Sequence, residues 1–233
     1  MKTTRRQVQF ERLHDAREFH STAELLDSFS QYVNGIQQRF GRRIGSLDEI
    51  AEKSISQNTY RGLHDFDPGP KEVFTAWARE KLRSDRFQQC VLCPDQPAYN
   101  KWLEELAGRL REHWPTMQKP PRGIEYGQSR KLTNLLMKHY ALWTGLTEST
   151  REQLIDFLHV PLDEYVLIGI RTCIGEYPHY SVEIPSNPSM SAVKDKKMYY
   201  RIQGALRHIA GLANVPAIYL DVFFWDLNHR ERA

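Results

Sequence analysis

An all-α fold is predicted for this chain by three features of its 233 residues. Apolar residues recur at three- and four-residue spacing in one segment after another. No stretch shows the convincing alternation of a half-buried strand. Proline and glycine clusters punctuate the intervals between the periodic runs. With 40% hydrophobic and 26% charged residues, the composition sits near the average for folded domains and supplies enough apolar material for a sizeable core. No internal repeat and no low-complexity tract is present, so one mostly helical domain spanning 1–233, or two helical lobes, is expected.

The periodicity places helices at about 22–40, 46–58, 71–84, 96–114, 128–145, 147–158, 162–173, 196–213 and 215–228. Asp67-Pro-Gly-Pro breaks the chain before the third of these, and its prolines suit a helix start. The fourth is amphipathic, with Trp102, Leu103, Leu106, Leu110 and Trp114 on its apolar side, and reads as scaffold. Pro120-Pro121 then opens a turn that leads into the fifth helix. There Leu132, Leu136, His139 and Trp143 form the apolar stripe, while Lys131, Asn134, Leu135 and Lys138 occupy the adjoining face. Pro161 ends the sixth helix, and Asp163 stands where the seventh begins, as a capping residue whose carboxylate accepts backbone N–H bonds. Ile184-Pro-Ser-Asn-Pro-Ser separates the seventh from the eighth, whose opening KDKKMYYR, Lys194 to Arg201, reads first as a solvated helix face. The last segment, VPAIYLDVFFWDLN, is apolar around its whole circumference, so it is expected inside and Asp221 is expected to be buried.

Several function classes are disfavoured at this level. The opening MKTTRRQVQF lacks an apolar run behind its basic residues, and no stretch approaches a membrane span, so a cytoplasmic protein with no membrane partner is expected. The three cysteines, Cys90, Cys93 and Cys173, fit a reducing compartment. Cys90-Val-Leu-Cys93 has a spacing known from zinc and redox motifs. Zinc would need two further ligands at motif spacing, and a redox motif would need a βαβ surround, so the cysteines are read as incidental and no metal or other cofactor is assigned. The histidines His14, His20 and His64 show no ligand spacing, and His139 on the stripe reads as packed. A net charge of +3 permits a nucleic-acid partner without demanding one.

The stretch YGQSRKLTNLLMKHY, residues 126–140, carries the chemistry. Starting the helix near Gln128 puts Lys131 in its first turn, where the positive end of the helix and the neighbouring Arg130 both disfavour an ammonium ion. A neutral lysine amine is a nucleophile able to form a Schiff base. The alternative is a lysine whose stem covers the apolar stripe while its head stays wet. Gly123 and Gly127, four residues apart before the helix and flanked by Lys119, Arg122 and Arg130, suit a phosphate held by backbone amides and local positive charge. An ordinary turn between helices is the competing reading. Asp163 follows Lys131 by thirty-two residues, and a capping carboxylate can also face a reacting centre.

These residues resemble the helix-hairpin-helix DNA glycosylases, which set a lysine at the start of a helix after a glycine-containing hairpin and an aspartate one helix later. The pattern is most similar to the archaeal 8-oxoguanine DNA glycosylase branch. Its lysine helix resembles Lys131 to Lys138, its aspartate turn resembles Pro161-Leu162-Asp163, and its base pocket carries an Asp and a Trp one turn apart, as Asp221 and Trp225 are in DVFFW. The resemblance covers about residues 120–228, with the hairpin and lysine region at about 115–145. It implies two helical lobes around a base-binding cleft, Lys131 and Asp163 as catalytic residues, and Asp221, Trp225 and Leu135 at the base. It further implies Arg122, Gly123, Gly127, Arg130 and Lys138 at the DNA backbone, with double-stranded DNA carrying a modified base as the partner of a monomer. Two departures are specific. The turn Arg122-Gly-Ile-Glu-Tyr-Gly127 lacks the usual apolar pattern of the hairpin, and Leu135 stands where the branch carries an aromatic residue.

The activity implied is excision of an extruded base, 8-oxoguanine by resemblance, with Schiff-base chemistry that permits cleavage next to the abasic site. Two alternatives stay open: excision of a hypermodified base, such as a glucosylated cytosine in phage DNA, as antiviral defence; and a helical DNA-binding or interaction module without chemistry.

Overall fold

The computed structural model describes residues 16–56, 67–88, 93–117, 119 and 123–230. Among them the regular structure is helical. The α-helices are α1 Thr22–Ser30, α2 Val33–Phe40, α3 Leu47–Lys53, α4 Pro70–Leu82, α5 Asp85–Gln88, α6 Gln96–Met117, α7 Tyr126–Tyr140, α8 Glu148–Phe157, α9 Glu164–Ile170, α10 Lys196–Leu212 and α11 Tyr219–Arg230. Short 3₁₀ turns fall at Cys173–Glu176 and Met190–Ala192, and the β-pairing among the described residues is limited to the isolated bridges Ile44 to Trp143 and Asp67 to Lys119. None of these helices is long and apolar enough to cross a membrane.

Local chemistry sets the ends. Side chains of Ser21, Ser46, Thr147, Asp163 and Asp195 accept N–H bonds from the first turns of α1, α3, α8, α9 and α10. At α4 the Glu72 carboxylate reaches back to the Gly69 N–H (3.3 Å), and Pro70, which has no N–H to leave unsatisfied, takes the first position. The predicted helix 22–40 is broken in two, because Gln31 and Tyr32 bond i−3 carbonyls and Ser30 Oγ turns back to the Asp27 carbonyl (2.6 Å). α6 runs through Pro115 and ends at Met117, past the expected stop at Trp114. α10 ends in a Schellman motif: Val215 N–H bonds the Ala210 carbonyl, Asn214 N–H bonds Gly211, and Asn214 adopts φ 53°. Asparagine tolerates that left-handed conformation, and the last helix starts at Tyr219 rather than near Val215.

The chain divides into two compact units, one of Gln38–Pro161 and one of Met1–Gln37 with Leu162–Ala233. In the first, α7 packs against α6 and α3, and α4 against α3 and α6. Trp77, Tyr99, Leu103, Leu110, Trp114, Leu132, Leu136 and Tyr140 are within 1% of full burial. In the second, α11 packs on α9 and α10. Phe223 sits among Phe19, Phe29 and Tyr32, with ring centroids 5.4–5.8 Å apart. The segment before α1 is fastened there too, with the Glu18 carboxylate paired to Arg171 and hydrogen-bonded to Thr172.

Gly169 sets the separation of α9 and α11. A Cβ at this position would lie 2.2 Å from the Phe224 ring, which is itself fully buried. Gly169→Val is therefore expected to lower stability by about 1–3 kcal/mol, read as a shift in the urea midpoint at constant slope. An unchanged midpoint would show that the two helices are free to move apart.

Candidate functional site

Helix α7 opens at Tyr126, after Glu125, whose backbone N–H is received by the Gln128 side chain (2.8 Å). The start lies two residues earlier than predicted. Lys131 is consequently the sixth residue of the helix, one turn in, and the argument from the positive helix end does not apply to it. Burial is the more informative feature. Gly127, Ser129, Arg130, Leu132, Thr133, Asn134, Leu136, Met137 and Tyr140 are buried around most of the circumference, and Gln128, Lys131, Leu135, Lys138 and His139 form a narrow half-buried strip. The two candidate lysines and Leu135 thus share one strip, as expected, but Asn134 does not.

Asn134 points inward and donates from Nδ2 to the Val160 carbonyl (3.2 Å). The bond holds α7 to the stretch that follows α8 within the unit Gln38–Pro161. Thr133 beside it caps its own helix carbonyls, Ser129 and Arg130 (3.0 and 3.1 Å). The sequence signal for Asn134 was present, since a polar residue between Thr133 and Leu135 on a buried helix needs a partner. Its partner could not be named without the fold.

Arg130 corrects the expectation of a phosphate contact. Its side chain is 1% exposed, with Nη1 3.5 Å from Glu104 and Nη2 3.5 Å from His159 Nδ1. His159, itself buried, continues the chain to Asn100 (2.8 Å), and the Tyr126 hydroxyl donates to the same Glu104 carboxylate (2.8 Å). This network bolts the start of α7 to α6 and leaves the guanidinium nothing to offer solvent. The two glycines also differ from expectation. Gly127 lies inside the first turn and is buried, Gly123 is exposed, and no described glycine takes a positive φ. The turn therefore lacks the left-handed glycine geometry associated with an amide cradle. Arg122, Pro120, Pro121, Cys90, His14 and His64 lie outside the described residues.

His139 is packed, as the stripe implied. Its Nδ1 is 2.8 Å from the Leu135 carbonyl and 3.3 Å from Ser54 Oγ, which assigns the proton to Nδ1. Burial, reinforced by Lys138 and Lys53 and partly offset by the Leu135 carbonyl, lowers its pKa to about 4. The unfolded ring takes its proton near 6.5, so between those values the unfolded chain binds the extra proton. Stability is thus full above about pH 6.5 and falls as the pH drops towards 4, by about 3 kcal/mol from this group. His139→Gln should flatten that part of a stability–pH curve measured by urea denaturation. An equally steep curve would assign the slope to other groups.

In the second unit Asp163 caps α9, accepting from Val166 N–H (3.1 Å). Asp221 is buried on α11, as predicted. Trp225 is 50% exposed and stands out on a helix whose other described side chains are buried or half-buried. Its indole lies against Tyr165, two residues after Asp163, with ring centroids 6.4 Å apart at 85°. The structure thus brings Trp225 beside the turn that Asp163 begins.

Cys93 and Cys173 are buried. Burial pushes both pKa values up, that of Cys173 to about 11, which makes them poor nucleophiles at neutral pH. Among the described residues no group of three or more His, Cys, Asp and Glu side chains is arranged to hold a metal ion. A cavity of about 20 Å³ lined by Lys81, Ser84, Phe87, Trp102, Glu105, Leu106 and Arg109 holds little more than one water, and none of the candidate residues lines it. Comparison of the chain with protein-family models, with curated proteins and with solved structures finds no match.

Proposed function

We propose that the protein is a DNA glycosylase that extrudes a modified base from duplex DNA and excises it through Lys131, with strand cleavage at the resulting abasic site. The observation that supports this reading is the strip of α7 on which Lys131, Leu135 and Lys138 lie together, half-buried, on a helix that is otherwise packed. In the reaction the Lys131 amine attacks C1′ of the extruded nucleotide. The C1′–N bond breaks, the base leaves with the electron pair and takes up a proton, and loss of an amine proton with opening of the sugar gives the Schiff base. The Asp163 carboxylate stabilises the positive charge that develops on the sugar. Trp225 stacks on the base and Asp221 accepts hydrogen bonds from its edge, which favours a base whose donors match it by about 1–3 kcal/mol. Lys138, on the strip with Lys131, supplies positive charge for a phosphate.

8-Oxoguanine is the first substrate to test. Leu135 supports a second reading, since a half-buried leucine in place of an aromatic ring leaves more room beside the base and suits a bulkier one such as a glucosylated cytosine. Purified protein is incubated with duplexes that each carry one modified base, products are cleaved with alkali, and a parallel set is reduced with borohydride. Excision and an adduct on one duplex are expected. Absence of both across the panel would leave a binding module as the reading.

Asp163 separates capping from chemistry. Asparagine caps as well as aspartate does, so Asp163→Asn should leave stability within a few tenths of a kcal/mol while lowering excision by about 10²–10³-fold. Asp163→Ala should also lose about 1 kcal/mol of stability. Full excision by Asp163→Asn would reduce the residue to a cap.

A further inference from the structure

The geometry points to Tyr165 as a second base-binding residue: with Trp225 it forms an aromatic corner that receives an extruded nucleobase. This inference extends the glycosylase reading and rests on it for the source of the base, but the corner itself stands on separate observations. Trp225 presents half its surface to solvent from a helix that is otherwise turned inward, although its neighbours Phe223 and Phe224 are fully buried. Single exposed apolar residues are common, so it is the ring contact with Tyr165, and not exposure alone, that singles Trp225 out. Tyr165 is half-buried in the first turn of α9, and its ring stands perpendicular to the indole.

The perpendicular arrangement has a consequence for ligands. A planar heterocycle stacked on the indole face meets the tyrosine ring at its edge, so one ring supplies stacking and the other limits how far the base slides. Flat purines and pyrimidines suit such a corner, because every base has a π-face. The corner sits on closely packed helices. Gly169, one turn beyond Tyr165, lets α9 lie against the Phe224 ring, and Phe224 adjoins Trp225 in the chain. Asp163, two residues before Tyr165, stands at the start of the same helix, so the residue that would stabilise the sugar and the residue that would hold the base share one anchor. Tyr165 belongs to no pattern that marked the candidate residues. It became visible only through the ring contact.

The test uses the full chain and a duplex with a single 2-aminopurine opposite an abasic site, a base that fluoresces when unstacked and is quenched on an aromatic ring. Wild-type protein is expected to quench the probe on binding. Trp225→Ala should remove the quenching, Tyr165→Ala should weaken binding about tenfold and lose most of the quenching, and Tyr165→Phe should retain both. Wild-type affinity and quenching in Tyr165→Ala would overturn the inference, as would no quenching by wild-type protein. Loss in Tyr165→Phe equal to that in Tyr165→Ala would also overturn it, since the hydroxyl and not the ring would then be responsible. Thermal melting of each variant separates loss of the corner from loss of the fold. Quenching that depends on Tyr165 in a protein that excises nothing would keep the corner and sink the enzyme. Excision indifferent to Tyr165→Ala would keep the enzyme and sink the corner.

Discussion

Lys131→Ala is expected to abolish the borohydride-trapped adduct and to lower base excision by a factor on the order of 10⁴, about 5 kcal/mol of transition-state stabilisation. Nothing else in the fold should change much. Lys131 lies on the half-buried strip of α7 rather than in the packed interface, and alanine is the best helix former, so the melting temperature should stay within a degree or two. Binding to substrate duplex should weaken far less than catalysis. An adduct formed by Lys131→Ala as readily as by the wild type would move the chemistry to another amine. The half-buried Lys138, two turns along, would be the next to test.

Arg130→Ala is expected to have the largest effect on stability, about 3–5 kcal/mol, because it removes the cation from a buried network and leaves the carboxylate of Glu104 and the ring of His159 without it. Denaturant titration reads the loss directly. The same variant distinguishes the structural role from the phosphate contact suggested by the sequence. A phosphate ligand would lower DNA affinity and its salt dependence while leaving the urea midpoint alone. The network predicts the opposite pattern in protein free of DNA. Glu104→Gln should reproduce part of the loss, since it removes the charge and keeps a side chain that still accepts from Tyr126.

The helical character was legible because nearly every segment carries its own amphipathic period and its own cap. Ser46, Thr147, Asp163 and Asp195 stand where the chain must begin a helix, and the side chains that do so can be read without a partner. Breaks that depend on competition between bonds were not legible. The split at Gln31 follows from i−3 bonding, and the end of α10 from a left-handed Asn214, and neither has a unique sequence mark. The candidate residues divide in the same way. The burial of Asp221 followed from the apolar run around it. The burial of Arg130 did not, because its partners Glu104 and His159 lie twenty-six and twenty-nine residues away on other segments. α7 starts two residues before Gln128, whose side chain reaches back to the Glu125 N–H instead of opening the helix. That start places Lys131 beyond the first turn, away from the positive helix end. The roles of Tyr165 and Asn134 were not legible, because each depends on a contact with a distant stretch of the chain.

Mass mapping of the reduced adduct tests the central claim most directly. The wild-type protein is trapped with borohydride on the duplex it cleaves best, digested, and sequenced by tandem mass spectrometry. The deoxyribose remnant is expected on the ε-nitrogen of Lys131. A remnant on any other nitrogen, or a wild-type protein that forms no adduct on any duplex it binds, would contradict the assignment of that lysine as the reacting amine.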